Sequence, residues 1–346
     1  MVKFKVLFNT FFFVLSFCAL IFFSNCGNVN EDKGKLVVDD SATSDIRLLN
    51  EKINKDRNNP DLYFQRAKAN FIHKKFEDAA TDMSIALKID STNPDYYIFI
   101  SDLTFTQNKT RDTRDALRKA ILYDSSNSQA LMKYSQLFYL LRKFDTATFY
   151  INRSLHYNNS SSVAHFQKGM ILKEWGDTAK AITSFSEALE RDQKYYDALV
   201  QLGILYSLKR NPLAVGYFDN ALSINPKSIE VLYAKGLFFQ NTFQYDQALK
   251  VYNLILDLET NHPDANYNIA VIFYEQKKID EALKRFDDLL LHDSNFYRGY
   301  YGKGLCYEAR KEESKAVIEY QKCLSIKSDF ELASQRIEII SGKVHP

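Results

Sequence analysis

The sequence predicts an all-α fold, a solenoid of eight helix pairs with a further helix at the C-terminal end. Three observations carry that expectation. Gly (11) and Pro (6) are sparse in 346 residues, too little punctuation for an all-β or Gly-rich loop protein. Apolar residues at 46% and charged residues at 25% are globular rather than disordered or collagenous. One pattern also recurs, as KAITSFSEALE, LAVGYFDNALSINP, QALKVYNLILDLE and EALKRFDDLLLHD, at a spacing of 34 residues with one of 33. Extended both ways, the frame gives units 60–93, 94–127, 128–161, 162–195, 196–228, 229–262, 263–296 and 297–330. No room is left for a second domain.

Each unit holds two helical patterns. In the fourth, Ala164 to Trp175 forms the first and Ala179 to Arg191 the second, with Gly176-Asp177 between. Small residues recur where helix axes must approach. The eighth position is Ala67, Ser101, Ser135, Gly169, Gly203, Gly236, Ala270 and Gly304. The twentieth is Ala in every unit except the second, which has Thr113. Large residues at the twenty-fourth fill the remaining space: Met83, Leu117, Ile151, Phe185, Phe218, Tyr252, Phe286 and Tyr320. Pro60, Pro94 and Pro263 stand at unit starts, where a missing N–H is harmless. Asp145 or Thr146, and Asp177 or Thr178, read as N-caps of second helices, each followed by the small residue. The fifth unit is one residue short at Lys209-Arg210-Asn211-Pro212, read as a tightened turn or as a change of pitch. Residues 331–341 form an amphipathic helix whose Leu332, Ile337 and Ile340 cover one end, with Glu331, Gln335 and Glu338 in water. Ile46, Leu48, Leu49 and Ile53, within 45–59, form a helical cap at the other end.

Period, small-residue positions and the bulky twenty-fourth position together resemble the tetratricopeptide repeat over residues 60–330. Trp is absent from the fourth position, and the Pro near the unit end survives only as Pro226. The resemblance implies a right-handed superhelix with a concave groove lined by the fifth, ninth, twelfth and thirteenth positions of the first helices. The fifth positions are Phe64, Ile98, Met132, Phe166, Val200, Tyr233, Tyr267 and Tyr301, and the twelfth adds Phe71, Phe105, Tyr139 and Tyr274. Such a stripe either packs between neighbouring first helices or forms an aromatic groove for a peptide. The groove lacks the Lys and Asn set by which related repeat proteins clamp acidic chaperone tails. Trp175, the only Trp, reads as a half-packed edge residue or a partner contact at the rim.

At the N-terminus, Lys3 and Lys5 precede an uncharged run from Val6 to Phe23, the shape of a secretory signal over 1–25. Phe23-Ser24-Asn25-Cys26-Gly27 resembles the lipobox of bacterial lipoproteins, with Phe23 and Asn25 departing from the usual residues. That resemblance implies acylation of Cys26 and a lipid anchor; an uncleaved membrane anchor and plain cleavage are the alternatives. Residues 26–44 then read as the lipidated Cys and a flexible tether. Gly27, rather than Asp, after the Cys favours the outer membrane, on its periplasmic or surface face. Asp40-Ser41-Ala42, Asp145-Thr146-Ala147 and Asp177-Thr178-Ala179 resemble an O-glycosylation sequon of exported bacterial proteins.

A net charge of +2 argues against nucleic-acid binding driven by charge, and four Cys exclude a disulfide scaffold. Cys306 and Cys323 share a unit and are read as buried thiols or a disulfide. The six His have no metal-ligand spacing, and His165 reads as a core residue. Gly299, Gly302 and Gly304 follow no strand and form no dinucleotide loop. The expectation is a non-enzymatic, membrane-tethered scaffold without cofactor or metal. It would bind an envelope protein or peptide segment, and an assembly lipoprotein for a secretion or appendage system is the narrower version. The alternative is a glycan binder using Tyr274 with Glu275 or Tyr301 with Glu308.

Overall fold

A computed structural model describes residues 40–342, and among them are eighteen α-helices and no strand. The export signal, the lipidated Cys26 and residues 27–39 of the expected tether lie outside the described residues. The chain divides after Ser184 into two compact units, each a stack of helix pairs.

The first unit opens with α1 (Asp40–Lys55). It continues through α2 (Pro60–Ile72) with α3 (Phe76–Ile89), α4 (Pro94–Thr106) with α5 (Thr110–Tyr123), and α6 (Ser128–Leu140) with α7 (Phe144–Tyr157). It ends with α8 (Ser162–Glu174) and the start of α9 (Thr178–Arg191). The second unit contains α10 (Tyr196–Leu208) with α11 (Leu213–Ile224), and α12 (Ile229–Asn241) with α13 (Tyr245–Leu258). It continues with α14 (Pro263–Glu275) and α15 (Ile279–His292), α16 (Tyr297–Ala309) and α17 (Glu313–Ile326), and closes with α18 (Glu331–Ile340).

Within a pair the spacing is set by the eighth position against the twenty-fourth. In the second unit a Cβ added at Gly203 would lie 2.6 Å from Phe218 Cε1, and one at Gly236 would lie 2.6 Å from Tyr252 Cε1. Gly304 sits closer still to Tyr320. The first unit uses smaller partners: Ala67, Ser101 and Ser135 stand opposite aliphatic Met83, Leu117 and Ile151. Ser135 makes the close approach explicit by donating to the Ala147 carbonyl of the second helix at 2.8 Å. Thr113, the departure at the twentieth position, is matched by Thr104, their hydroxyls 3.0 Å apart.

First helices also touch each other, α2 with α4 and α6 with α8 in the first unit, α10 with α12 and α14 with α16 in the second. Beyond α2 they bury more residues than second helices, eight in α8 and seven in α14 against four each in α7 and α13. The first helices are therefore the inner row of each unit.

The turn inside each pair follows one plan. Its fifteenth position takes positive φ: Lys74 (58°), Asn108 (57°), Arg142 (55°), Gly176 (94°), Arg210 (51°), Phe243 (60°), Lys277 (62°) and Lys311 (63°). The left-handed residue lets the next N–H reach back, Lys75 to the Asn70 carbonyl at 2.8 Å and Lys143 to Phe138 at 2.9 Å, closing a Schellman cap. Any residue but Gly holds this conformation at about 1 kcal/mol or more. The short fifth unit keeps the cap, with Asn211 N–H on the Tyr206 carbonyl, and opens α11 with i→i+3 bonds at Ala214 and Val215. The missing residue is taken up as a tightened turn. Helix α7 starts two residues earlier than an Asp145 cap implies: it begins at Phe144 with Lys143 as an N-cap lacking a side-chain bond. Asp177 does cap α9, accepting from Lys180 N–H at 3.0 Å. First helices are capped by Asn59, Asn93, Asn127, Ser161, Ser228 and His262, each accepting from a first-turn N–H.

Both ends are covered. Helix α1 starts at Asp40, within the stretch expected as tether, because the pattern that buries Leu49 and Ile53 carries the helix upstream. Leu48 is exposed. Arg66 ties α1 down, donating to Asn50 Oδ1 at 2.6 Å while its Nε lies 3.0 Å from the buried carboxylate of Asp82. At the other end Leu332, Ile337 and Ile340 are half-buried, while Ala333 is the fully buried contact. Arg336 pairs there with Glu308, which also accepts from the Tyr320 hydroxyl at 2.5 Å.

Gly304→Ala is expected to destabilise the chain by about 1–3 kcal/mol by pressing Cβ into the Tyr320 ring, with Tyr320→Leu recovering part of that loss in the double variant. Gly216→Ala, whose added Cβ meets nothing within 4 Å, should stabilise by about 0.5–1 kcal/mol. Urea melts of the four variants check both signs, and a neutral Gly304→Ala would contradict the packing account.

Candidate functional site

The aromatic positions singled out from the sequence all lie on first helices, but they are not equivalent. Ile98 (5% exposed), Phe166 (2%), Tyr267 (9%) and Tyr301 (8%) are buried. Tyr267 lies between Phe286 and Phe296, ring centroids 5.8 and 5.6 Å away, and Tyr301 between Tyr320 and Phe330 at 5.6 and 5.2 Å. These side chains stack between helices, because the fifth position of one pair points at the element that opens the next. Val200 is buried in the same way.

Phe64, Phe71, Phe105, Met132, Tyr139, Tyr233 and Tyr274 are half-buried. In the first unit Phe64 packs on Tyr96 (4.9 Å) and Phe99 (5.7 Å), and Lys68 Nζ lies 3.8 Å over its ring. Phe71 meets Phe76 and Phe99, each at 5.5 Å. Met132 and Tyr139 pack on the core around Ile151 and Ile171.

The second unit carries the more chemically articulated face. The Tyr252 hydroxyl donates to Gln240 Oε1 at 2.8 Å and accepts from Asn268 Nδ2 at 3.2 Å. Asn268 donates its other proton to the Tyr233 hydroxyl at 3.1 Å. Tyr233 therefore enters the network as an acceptor, and its own proton meets no acceptor among the described residues. Burial lifts its pKa to about 12, so the proton stays in place at neutral pH.

Second positions of the first helices add charge that aromatic patterning missed. They are Asp197, Glu230, Asp264 and Arg298. Arg298 is committed to Asp264 and lies 5.1 Å from the Tyr267 ring centroid. Asp197 and Glu230 pair with no cation among the described residues. Burial holds the Asp197 carboxyl above its usual range. Glu230 is raised by burial and then by the negative charge of Asp197. Carboxylates at this position also recur at the starts of other first helices, as at Asp61 and Asp95, so the sequence period alone does not set Asp197 and Glu230 apart. Glu275 is raised by burial while accepting from the Tyr245 hydroxyl.

The remaining candidates are structural. Cys306 and Cys323 are free buried thiols, each pushed up to about 12 by burial and so held protonated. His165 is buried, its Nε2 3.1 Å from the Asn159 carbonyl. Among the described residues no three His, Cys, Asp or Glu converge as a metal site. Trp175 is 53% exposed at the end of α8.

The Asp197→Asn/Glu230→Gln variant tests the electrostatics of this face. Both folded pKa values are raised, so the stability these groups contribute is intact below their unfolded values of about 4 and is lost as pH rises through the folded ones. The variant should therefore melt above wild type at pH 7, with the gap closing below about pH 4. Equal melting at pH 7 would mean that the two carboxylates are freely solvated.

Comparison with known proteins places this geometry. Residues 163–195 and 297–330 match one tetratricopeptide-repeat model, and residues 242–301 match another. The human protein O-mannosyl-transferase TMTC1 is 25% identical over 134 residues, 38% of this chain and 15% of that protein. The chain spans 15% to 24% of the length of the first curated relatives it matches. A tetratricopeptide repeat protein from Parabacteroides merdae aligns with a TM-score of 0.52 at 17% identity, over 72% of this chain and 98% of that one. The C-terminal part of a TPR repeat-containing protein from Cytophaga hutchinsonii gives 0.59 at 18% identity, over 69% and 99%. These two likenesses are of fold. The chain carries tetratricopeptide repeats, stacked in each unit as an α-solenoid.

Proposed function

We propose that the chain is a non-enzymatic scaffold, exported and held at a membrane through Cys26, that binds an extended, basic peptide segment of an envelope protein on the first-helix face of its second unit. The observation that carries this reading is the conjunction of Tyr233, Asp197 and Glu230. A half-buried hydroxyl has a proton to give, and two neighbouring carboxylates at exposed positions, partly desolvated by the protein around them, have no cation among the described residues. A peptide carbonyl suits the first, and Lys or Arg side chains suit the second. Partial desolvation strengthens both contacts relative to open water. A sugar is a poorer fit, because Tyr301 is buried and Glu308 is already engaged by Arg336 and Tyr320. Membrane tethering is supported by the sequence, through Lys3, Lys5, the apolar run to Phe23 and Cys26.

Two experiments test the two halves. An array of unrelated peptides probed with wild type should retain Lys- and Arg-bearing sequences, and Asp197→Asn/Glu230→Gln should weaken those spots by tenfold or more, about 1.4 kcal/mol. If both proteins retain the same peptides, the second unit's face is not the site. In a bacterial host expressing the chain, labelled palmitate should be incorporated into wild type and not into Cys26→Ser; label in both, or in neither, would remove the anchor.

A further inference from the structure

The two turn edges of the first unit carry opposite charge. The turns inside pairs present Lys74, Lys75, Lys109, Arg142 and Lys143, all exposed, with Glu174 and Asp177 the two acids at the tips. The turns between pairs present Asp61, Asp90, Asp95 and Asp124 among Asn and Ser. Turn chemistry accounts for the acidic edge: Asp90 accepts from Thr92 N–H at 2.8 Å and Asp124 from Ser126 N–H at 3.0 Å. It does not account for the basic edge. Lys74 and Arg142 occupy the left-handed position that Gly fills with least strain. Lys74, Lys75, Lys109 and Lys143 pair with no carboxylate among the described residues, and Arg142 leans on the Phe144 ring at 5.3 Å. Glu77, Asp78, Asp112 and Asp145 belong to the first turns of α3, α5 and α7, set back from the tips by roughly 3–5 Å along the helix axes.

Apolar side chains stand among these cations. Ile72 is 74% exposed, Trp175 53% and Leu141 46%. They project singly from the first, third and fourth of these turns. A protein partner draws its affinity from anchors sealed into a desolvated centre. A bilayer takes single anchors into its interface, with Trp at headgroup depth and cations among anionic headgroups. We propose that this edge of the first unit docks on an anionic lipid surface, with Trp175, Leu141 and Ile72 entering the interface and the five cations contacting headgroups. The proposal does not rest on acylation of Cys26, nor on the peptide face of the second unit.

Trp175 is the only Trp in the chain, so its emission reports this edge alone. The probe is full-length protein titrated with phosphatidylcholine vesicles, with or without phosphatidylglycerol, some of them brominated. The expected result is a blue shift and bromine quenching of Trp175 with phosphatidylglycerol vesicles, abolished by high salt and absent with phosphatidylcholine alone. Each cation at such a surface is worth about a fivefold gain in partitioning. Lys74→Glu/Lys75→Glu/Arg142→Glu/Lys143→Glu should therefore lose at least about a hundredfold. The milder Gln series should lose less while keeping the wild-type circular dichroism and melting. Cys26→Ser should keep the Trp175 response. Vesicle-bound protein with unshifted Trp175 emission, or an equal shift with phosphatidylcholine alone, would overturn the proposal. So would a shift produced by polyglutamate and not by vesicles, which would assign the edge to an acidic protein.

Discussion

The backbone of each first helix and the side chain at the twenty-fourth position of the second compete for the same space, and the rest of the structure depends on how that is resolved. In the second unit the ring wins and the first helix yields with Gly: Gly203 to Phe218, Gly236 to Tyr252, Gly304 to Tyr320. The one pair that keeps Ala at the eighth position, Ala270, still carries an aromatic, Phe286. Its ring is accommodated by Gly302 at the sixth position of the next first helix. The volume is conserved while the residue that makes room moves to another helix. In the first unit the compromise shifts toward Ala67, Ser101 and Ser135 with aliphatic partners. Because interiors pack at nearly crystalline density, neither set can be exchanged for the other at a single position without strain or a void.

Close helices demand short connections, and the left-handed fifteenth position follows from that. A Schellman cap satisfies the last carbonyls of the first helix with the N–H groups that start the second, so one three-residue turn serves two helix ends. This is why the second helices need no side-chain N-cap at Lys75, Lys109 or Lys143. The connections between pairs are longer and use the ordinary signals, Asn or Ser at the N-cap followed in two first-unit pairs by Pro. The two edges of the first unit differ in composition because only one of them is bound by side-chain turn chemistry.

The fold was legible because its determinants repeat. The first helices begin at Pro60, Pro94, Ser128, Ser162, Tyr196, Ile229, Pro263 and Tyr297, a spacing of 34 residues with one of 33. The candidate site was less legible. A sequence period assigns Tyr267 and Tyr233 to the same fifth position, yet one is buried between Phe286 and Phe296 while the other keeps a hydroxyl proton to offer. That difference depends on the next pair: Phe296 and Arg298 close over Tyr267, whereas Asn268 reaches Tyr233 from the side. Asp197 and Glu230 were hidden for a different reason. Acidic residues at a helix start are expected on dipole grounds alone, so their position carries no signal until their missing counter-charges are seen.

Features that folding does not require carry the functional argument. Asp197 and Glu230 are both held partly desolvated, and the charge of Asp197 further raises the proton affinity of Glu230, an arrangement unfavourable to the folded state at neutral pH. Lys74 and Arg142 sit in backbone conformations that suit Gly, with no ion pair in return. A repeat needs neither feature, since one pair makes the same turn with Gly176 and the Asp264–Arg298 pair satisfies the same second position elsewhere. Sites that bind charged partners are where stability is given up in this way, because a group already paired within the chain has less to gain from a ligand. The two features have opposite sign, carboxylates in the second unit and cations in the first, and so cannot serve the same partner chemistry.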